Sequence, residues 1–332
     1  MKNGEHSSSE KLPAKLVRVL RSSPDILREK RLKLAADFPA ATPLSWPLSL
    51  DDTRELVVRW PVKLQWDEAE KWVHHLLLGF RRHVKVEPAE IPQPCGGSVV
   101  FELVWQGKTH SVTIDYWDHM DRIQTPCLDK SLLYFKMQYL RPGYGSDKIL
   151  PGGFINASAD YYKYIAWLRA LQAEQGGKFA VYGRFGLRYA GEIRRRAVEI
   201  LKADRRFSFT GDLTLVRYSR SLAESACAKI CLDLPGNGDF CFRLADYLGI
   251  GCCIVAPRHG TTLPIPLEDK KHIVFAREDL SDLADLCHYY LEHEEECRQI
   301  AQYSREYFDR YLHRDQLAAY YLSKCLERLK AL

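Results

Sequence analysis

The stretch Lys229–Pro257, KICLDLPGNGDFCFRLADYLGIGCCIVAP, decides how this chain is read. Lys229–Leu234 is a short apolar run, Pro235–Asp239 a turn-forming loop, and Phe240–Leu248 a helical segment with Phe242, Leu244, Ala245 and Leu248 available for packing. Gly249–Gly251 breaks that helix, and Cys252–Ala256 is a second β-rich run stopped by Pro257. Strand, glycine loop, helix and strand make a parallel βαβ unit, whose functional edge is the loop after the first strand. The first amides of a helix lack intrahelical partners and sit at the positive end of its dipole, so this edge suits an anion. Gly236 and Gly238 are expected to let a phosphate approach the backbone, with Asn237 between them and Arg243 one turn into the helix. The same glycines would also serve an ordinary crossover turn.

Outward from this unit, 332 residues exceed the usual size of one core, so two domains are expected. No apolar run approaches the ~20 residues that span a bilayer, and the amino terminus has no apolar signal region. A net charge of +5 fits an anionic substrate or a membrane surface without requiring nucleic acid. The ten cysteines form no CxxC pair and fall mostly in apolar runs, which predicts a reduced, cytoplasmic protein without a zinc site. Lys15–Leu34 is a basic helical stretch that can pack on a domain or touch anionic headgroups at the inner membrane surface. Residues 37–48 read as a proline-rich linker.

A first domain over 49–153 begins with a strand at Glu55–Trp60 and a helix at Trp66–Arg82. Ser98–Trp105 and Thr109–Tyr116 alternate about Gln106-Gly107-Lys108, a hairpin signal. The second of these strands runs into DYWDHMD, placing Asp118 and His119 at a strand's carboxyl end, where open α/β sheets bind ligands; they are the candidates for a general base, or else solvated loop acids. Lys136 and Lys148, with His259 farther on, are expected to supply positive charge to a cleft, and Arg141–Phe154 reads as the crossover between domains. A second domain over 154–312 alternates helices and strands from Ala157 onward, and 313–332 is a last amphipathic helix. Arg184 follows the strand Lys178–Gly183 at the same edge as the glycine loop. The expected fold is α/β, two Rossmann-like domains facing a cleft.

The succession VYGRFG at Val181–Gly186, FTGD at Phe209–Asp212, the Lys229–Pro257 stretch and HIVFAREDLSDL at His272–Leu283 resembles the carboxyl-terminal domain of group 1 glycosyltransferases of GT-B architecture. The resemblance covers about Ala180–Leu322; before residue 150 it rests on YFK at Tyr134–Lys136 and on the KILPGGF crossover. It implies a nucleotide-sugar donor bound at the glycine loop and ribose held by an acid inside the following helix, here Asp246. It implies no metal and no further cofactor, and the acceptor would be a glycan, a lipid-linked molecule or a protein. Many retaining members carry two glutamates across this loop and helix. This chain has Asp239 and Asp246, with one residue fewer between them, so stereochemistry is not carried over.

Donor contacts are therefore expected from Arg184, Gly236, Asn237, Gly238, Asp239, Phe242, Arg243 and Asp246, with Asp118 or His119 on the opposing domain as base. Cations and helix amides would stabilise the departing diphosphate. On this reading Arg243→Ala depresses turnover far more than stability. A transferase acting on DNA bases and a nucleotide-sugar-binding protein without catalysis are the alternatives; no interleaving of aromatic and basic residues favours the first.

Overall fold

The computed structural model describes residues 24–332, so the part of the basic stretch before residue 24 lies outside the described residues. Residues 24–32 form helix α1, and Glu29 ties it to Arg217 and Ser219 in the second half of the chain. Among the described residues no helix is long and apolar enough to cross a membrane.

The first half forms a mixed six-stranded sheet, and its order is β2-β1-β3-β4-β5-β7. A short helix α2 (Leu50–Glu55) leads into β1 (Val57–Pro61), and α3 (Glu70–His83) connects β1 to the parallel β2 (Lys85–Ala89). β2 carries Pro88, which tells against a central strand; an edge position, where a missing donor costs nothing, accommodates it. β3 (Ser98–Trp105) and β4 (Lys108–Asp115) are the expected hairpin, turning at Gln106 and Gly107 with φ of 49° and 74°. After α4 (Thr125–Leu128), β5 (Ser131–Lys136) lies parallel to β4, and β7 (Ile149–Pro151) is parallel to β5. Between them the two-residue β6 (Tyr139–Leu140) leaves the sheet. Cys95 and Cys127 are joined by a disulfide that pins α4 beneath the loop preceding β3. That corrects the expectation of a wholly reduced protein: residues distant in sequence meet only when the hairpin folds.

α5 (Tyr161–Gln175) carries the chain to a five-stranded, all-parallel sheet, ordered β13-β11-β10-β8-β9. Its strands are β8 (Phe179–Arg184), β9 (Phe209–Asp212), β10 (Ala228–Leu232), β11 (Cys253–Pro257) and β13 (Val274–Ala276). The helices between them are α6 (Gly191–Ala203), α7 (Tyr218–Ala226) and α8 (Phe242–Ile250). α9 (Leu283–Glu292) and α10 (Glu294–Tyr307) follow, and α11 (Arg314–Lys330) returns to the first half. There the ring of Tyr321 stacks 3.9 Å from Phe135, and Gly79 of α3 leaves room for the α11 backbone. The strand order places a topological switch between β8 and β10, so the crevice at their carboxyl ends is the natural ligand position.

The carboxyl edges of the two sheets meet. β12 (Thr261–Thr262), just past β11, pairs antiparallel with β6 and makes a ribbon between the halves. The buried side-chain amide of Gln138 donates to Phe240 O at 2.9 Å and accepts from Phe240 N at 3.2 Å, as a paired strand would. One hydrophobic cluster runs through both sheets, from Val58 and Phe101 to Tyr247 and Ile254. Gln138→Ala leaves both backbone groups of buried Phe240 unsatisfied, and we expect it to lower unfolding stability by about 1–3 kcal/mol; a denaturant midpoint equal to that of the unaltered chain would show that the clamp contributes nothing.

Candidate functional site

Asp115, the last residue of β4, is fully buried and accepts from Lys136 Nζ at 2.9 Å, from Tyr134 at 2.5 Å and from the Trp117 amide at 2.8 Å. Burial pushes its carboxyl up, and Lys136 and these donors oppose that rise. The amide contact closes a turn after β4, and Asp118 and His119 follow three and four residues beyond the strand's end. Lys136, expected in the cleft, is wholly buried in this ion pair. The reason is its place in β5 beside Asp115 of β4, the two being register partners.

Asp118 is half-buried, and its side chain meets that of Asn237 in the glycine loop of the other sheet. Burial raises its carboxyl above the ordinary range, partly offset by His119, Asn237 and Lys136. His119 is exposed, with its ring 4.7 Å from that of Trp117. The candidate base from one half and the candidate donor loop from the other are thus brought together.

The glycine loop is more committed than its composition suggests. A Cβ on Gly238 would fall 2.4 Å from the Gln138 side chain, so this glycine admits Gln138. The Gly236 amide donates to Gly238 O at 2.9 Å. Asp239 accepts from the amides of Gly260 and Thr261 at 2.6 and 3.0 Å and anchors the loop after β11. In that loop His259 is buried between Phe240 and Phe275, and burial lowers its pKa to about 4, so it is a neutral ring and not a cleft cation. Lys148 precedes β7 and lies at that strand's amino end, away from the carboxyl edge where the cleft was expected.

The expected donor contacts within the second half are also engaged. Arg184 donates to Glu224 at 2.6 Å, and Phe242 packs its ring 4.5 Å from Trp72 of the other half. Arg243 donates to Leu234 O at 2.7 Å, lies 4.9 Å above the Phe185 ring and stands 3.4 Å from Asp233. Removing it would strand a buried carboxylate, so Arg243→Ala is now expected to cost stability as well as turnover. Asp246 is buried and accepts from Asn156 and Tyr218 at 2.9 Å each, joining α8 to the crossover and to α7. Both bonds fall on one carboxylate oxygen, Oδ1.

Sequence reading missed Gln138, Asn156, Arg194 and Asp233. Arg194 donates to Pro235 O and Gly186 O, stapling the turns after β10 and β8 at the switch point. Asp233 was read as part of an apolar run; a carboxylate one residue past the strand was the only signal, and its two oxygens have no hydrogen-bond partner. At the carboxyl ends of β11 and β13 a cavity of about 460 Å³ is lined by Arg258, Phe275, Ala276, Arg277, Glu278 and Asp279. Arg258 lies 5.0 Å above the Phe275 ring, next to His259 and hence beside the glycine loop.

Burial raises Asp246 to about 7 and Asp233 to about 6. Both exceed the ordinary carboxyl value of about 4, so folding favours the protonated groups. Their stabilisation is complete below about pH 4 and is lost as pH rises through about 6 and 7. The thermal midpoint should therefore fall between about pH 4 and pH 7, and Asp246→Asn should flatten the upper part of that fall. Equal slopes in both proteins, measured by calorimetry, would contradict the assignment to Asp246.

Among curated proteins none matches the chain. Residues 165–323, which include the whole parallel sheet, match the family model described as glycosyl transferase-like. The carboxyl-terminal half of the chain is thus similar to glycosyl transferase-like proteins, consistent with the expected group 1 resemblance.

Proposed function

We propose that the protein transfers a sugar from a nucleotide-sugar to an acceptor hydroxyl without a metal ion. The observation that carries this reading is the meeting of Asp118 with Asn237 across the two carboxyl edges. Asp118 takes the acceptor proton, the acceptor oxygen bonds to the anomeric carbon, and the bond from that carbon to the phosphate oxygen breaks. The nucleoside diphosphate leaves with the electron pair. The amino end of α8 offers amides without intrahelical partners to the developing charge. Arg258 and Arg277, at the cavity beyond β11 and β13, supply positive charge for the nucleotide end. The raised carboxyl makes Asp118 a better proton acceptor than an ordinary carboxylate.

A binding protein without catalysis is the second reading. It is favoured by the internal use of Gly236, Gly238, Arg184 and Arg243, which leaves the loop few free groups. Contact of the basic stretch Lys15–Leu34 with an anionic membrane surface is compatible with either reading, with α1 docked on the second half.

Nucleotide-sugars are expected to raise the melting temperature, and a panel of donors identifies the base and sugar. No shift with any donor would remove both readings. Asp118→Asn should keep that shift and lower kcat by about 10²–10⁴-fold, with the rising limb of the pH profile lost. Transfer at an unaltered rate would exclude Asp118 as base, and a donor shift with no transfer to any acceptor pool would favour the binding protein.

A further inference from the structure

A second cavity, of about 420 Å³, opens between the start of α3 and the crossover Ala157–Ala159, and none of the residues expected to bind the donor lines it. Its size falls in the usual range for small-molecule sites, about 300–1,000 Å³. Glu68, Glu70, Lys71, His74, His75 and Ser158 provide its polar wall. His75 is only 1% exposed, and its Nδ1 has no hydrogen-bond partner. The Asn156 backbone partly opposes the fall in its pKa, and the unpartnered Nδ1 is left to a ligand. Burial holds this ring neutral, with a pKa of about 3.

The wall is therefore rich in acceptors. Two exposed carboxylates and two imidazoles, with His74 Nδ1 3.5 Å from Glu70, face a single ammonium, Lys71, which is already bonded to Glu68 at 3.0 Å. Such a wall repels phosphate and complements a molecule carrying several hydroxyl donors. Beside it stands Trp66, 49% exposed, with Lys71 Nζ 5.4 Å from its ring centroid. A large exposed indole offers an apolar plate to the C–H face of a ring whose hydroxyls point to the acceptors. A cationic ligand suits the carboxylates too, but Lys71 already pairs with Glu68.

We propose that this cavity binds a neutral sugar ring, and that the acceptor is accordingly a glycan. The second clause rests on the transferase reading above; the first does not. Most of the cavity's lining lies in the half that carries Asp118, and Trp72, in the first turn of α3, stacks 6.0 Å from Tyr116 just ahead of Asp118.

The test is ligand-observed NMR on the full chain with neutral disaccharides of glucose, galactose, mannose and N-acetylglucosamine, and with spermidine as the cationic probe. At least one disaccharide is expected to bind. Trp66→Ala should weaken it about tenfold or more, and Glu70→Gln should weaken it by up to about tenfold, the loss of one charge-assisted hydrogen bond. Both side chains are exposed, so neither change threatens the fold. His75→Phe, which keeps a ring but removes the lone pair, should act in the same direction if it melts cooperatively. Binding of no disaccharide, binding unaffected by both exposed substitutions, or binding of spermidine alone overturns the proposal. Donor-induced stabilisation of the unaltered chain is read in parallel; its absence removes the transferase reading and leaves the sugar site to its own titration.

Discussion

The architecture depends on a side-chain amide acting as a strand. Gln138 satisfies both backbone groups of Phe240, and in doing so it holds the glycine loop of the parallel sheet against the carboxyl edge of the mixed sheet. Buried amide groups must be paired, so this joint is directional in a way that apolar contact is not. Gly238 has no side chain because Gln138 occupies that space. The β6–β12 ribbon and the packing of Phe242 on Trp72 add area around the same joint. Asp118 and Asn237 meet beside this joint.

Charge is handled unevenly across this interface. The first half buries a complete ion pair, Lys136 with Asp115, and spends it on shaping the turn that carries Asp118. The second half buries carboxyls without full compensation: Asp233 faces Arg243 at a long 3.4 Å, and Asp246 has only neutral donors. Desolvation then dominates and keeps both inclined to hold a proton. Arginines that looked free in sequence are the counterweights to this burial. Arg194 and Arg243 hold the carbonyls of the turn together, so whatever anion approaches meets an edge already organised by guanidinium groups.

Much of the second half was legible because its signals are local. The βαβ unit at Lys229–Pro257, a helix break within Gly249–Gly251 and a strand within His272–Ala276 follow from runs of apolar residues and their punctuation, although α8 passes through Gly249 to Ile250 and the strand is only Val274–Ala276. α8 begins at Phe242, two residues later than read, since Phe240 is held extended by Gln138. β2 escaped notice because Pro88 argues against a strand in any position but an edge. The apolar run around Tyr134–Lys136 ends at β5, since Tyr139 and Leu140 form β6 and pair with the far loop and not with their own sheet. The disulfide was invisible for a similar reason: its cysteines have a sequence separation of 32 and no motif spacing.

The chemistry of the chain, α/β with a glycine loop opening a helix, is set by short-range periodicity and turn residues that act over a few positions wherever the segment lies. Which acid is base, which is glue and which cation is free are long-range matters. Asp118 and Asp246 look alike in sequence, yet one meets the other sheet's loop half-exposed and the other is sealed among Asn156, Tyr218 and Tyr161. Lys136 and Arg184 carry charges that nothing local neutralises, and Asp115 and Glu224 reach them only through strand pairing and helix packing. Desolvation and pairing depend on neighbours in space, and those neighbours exist only once the chain has folded.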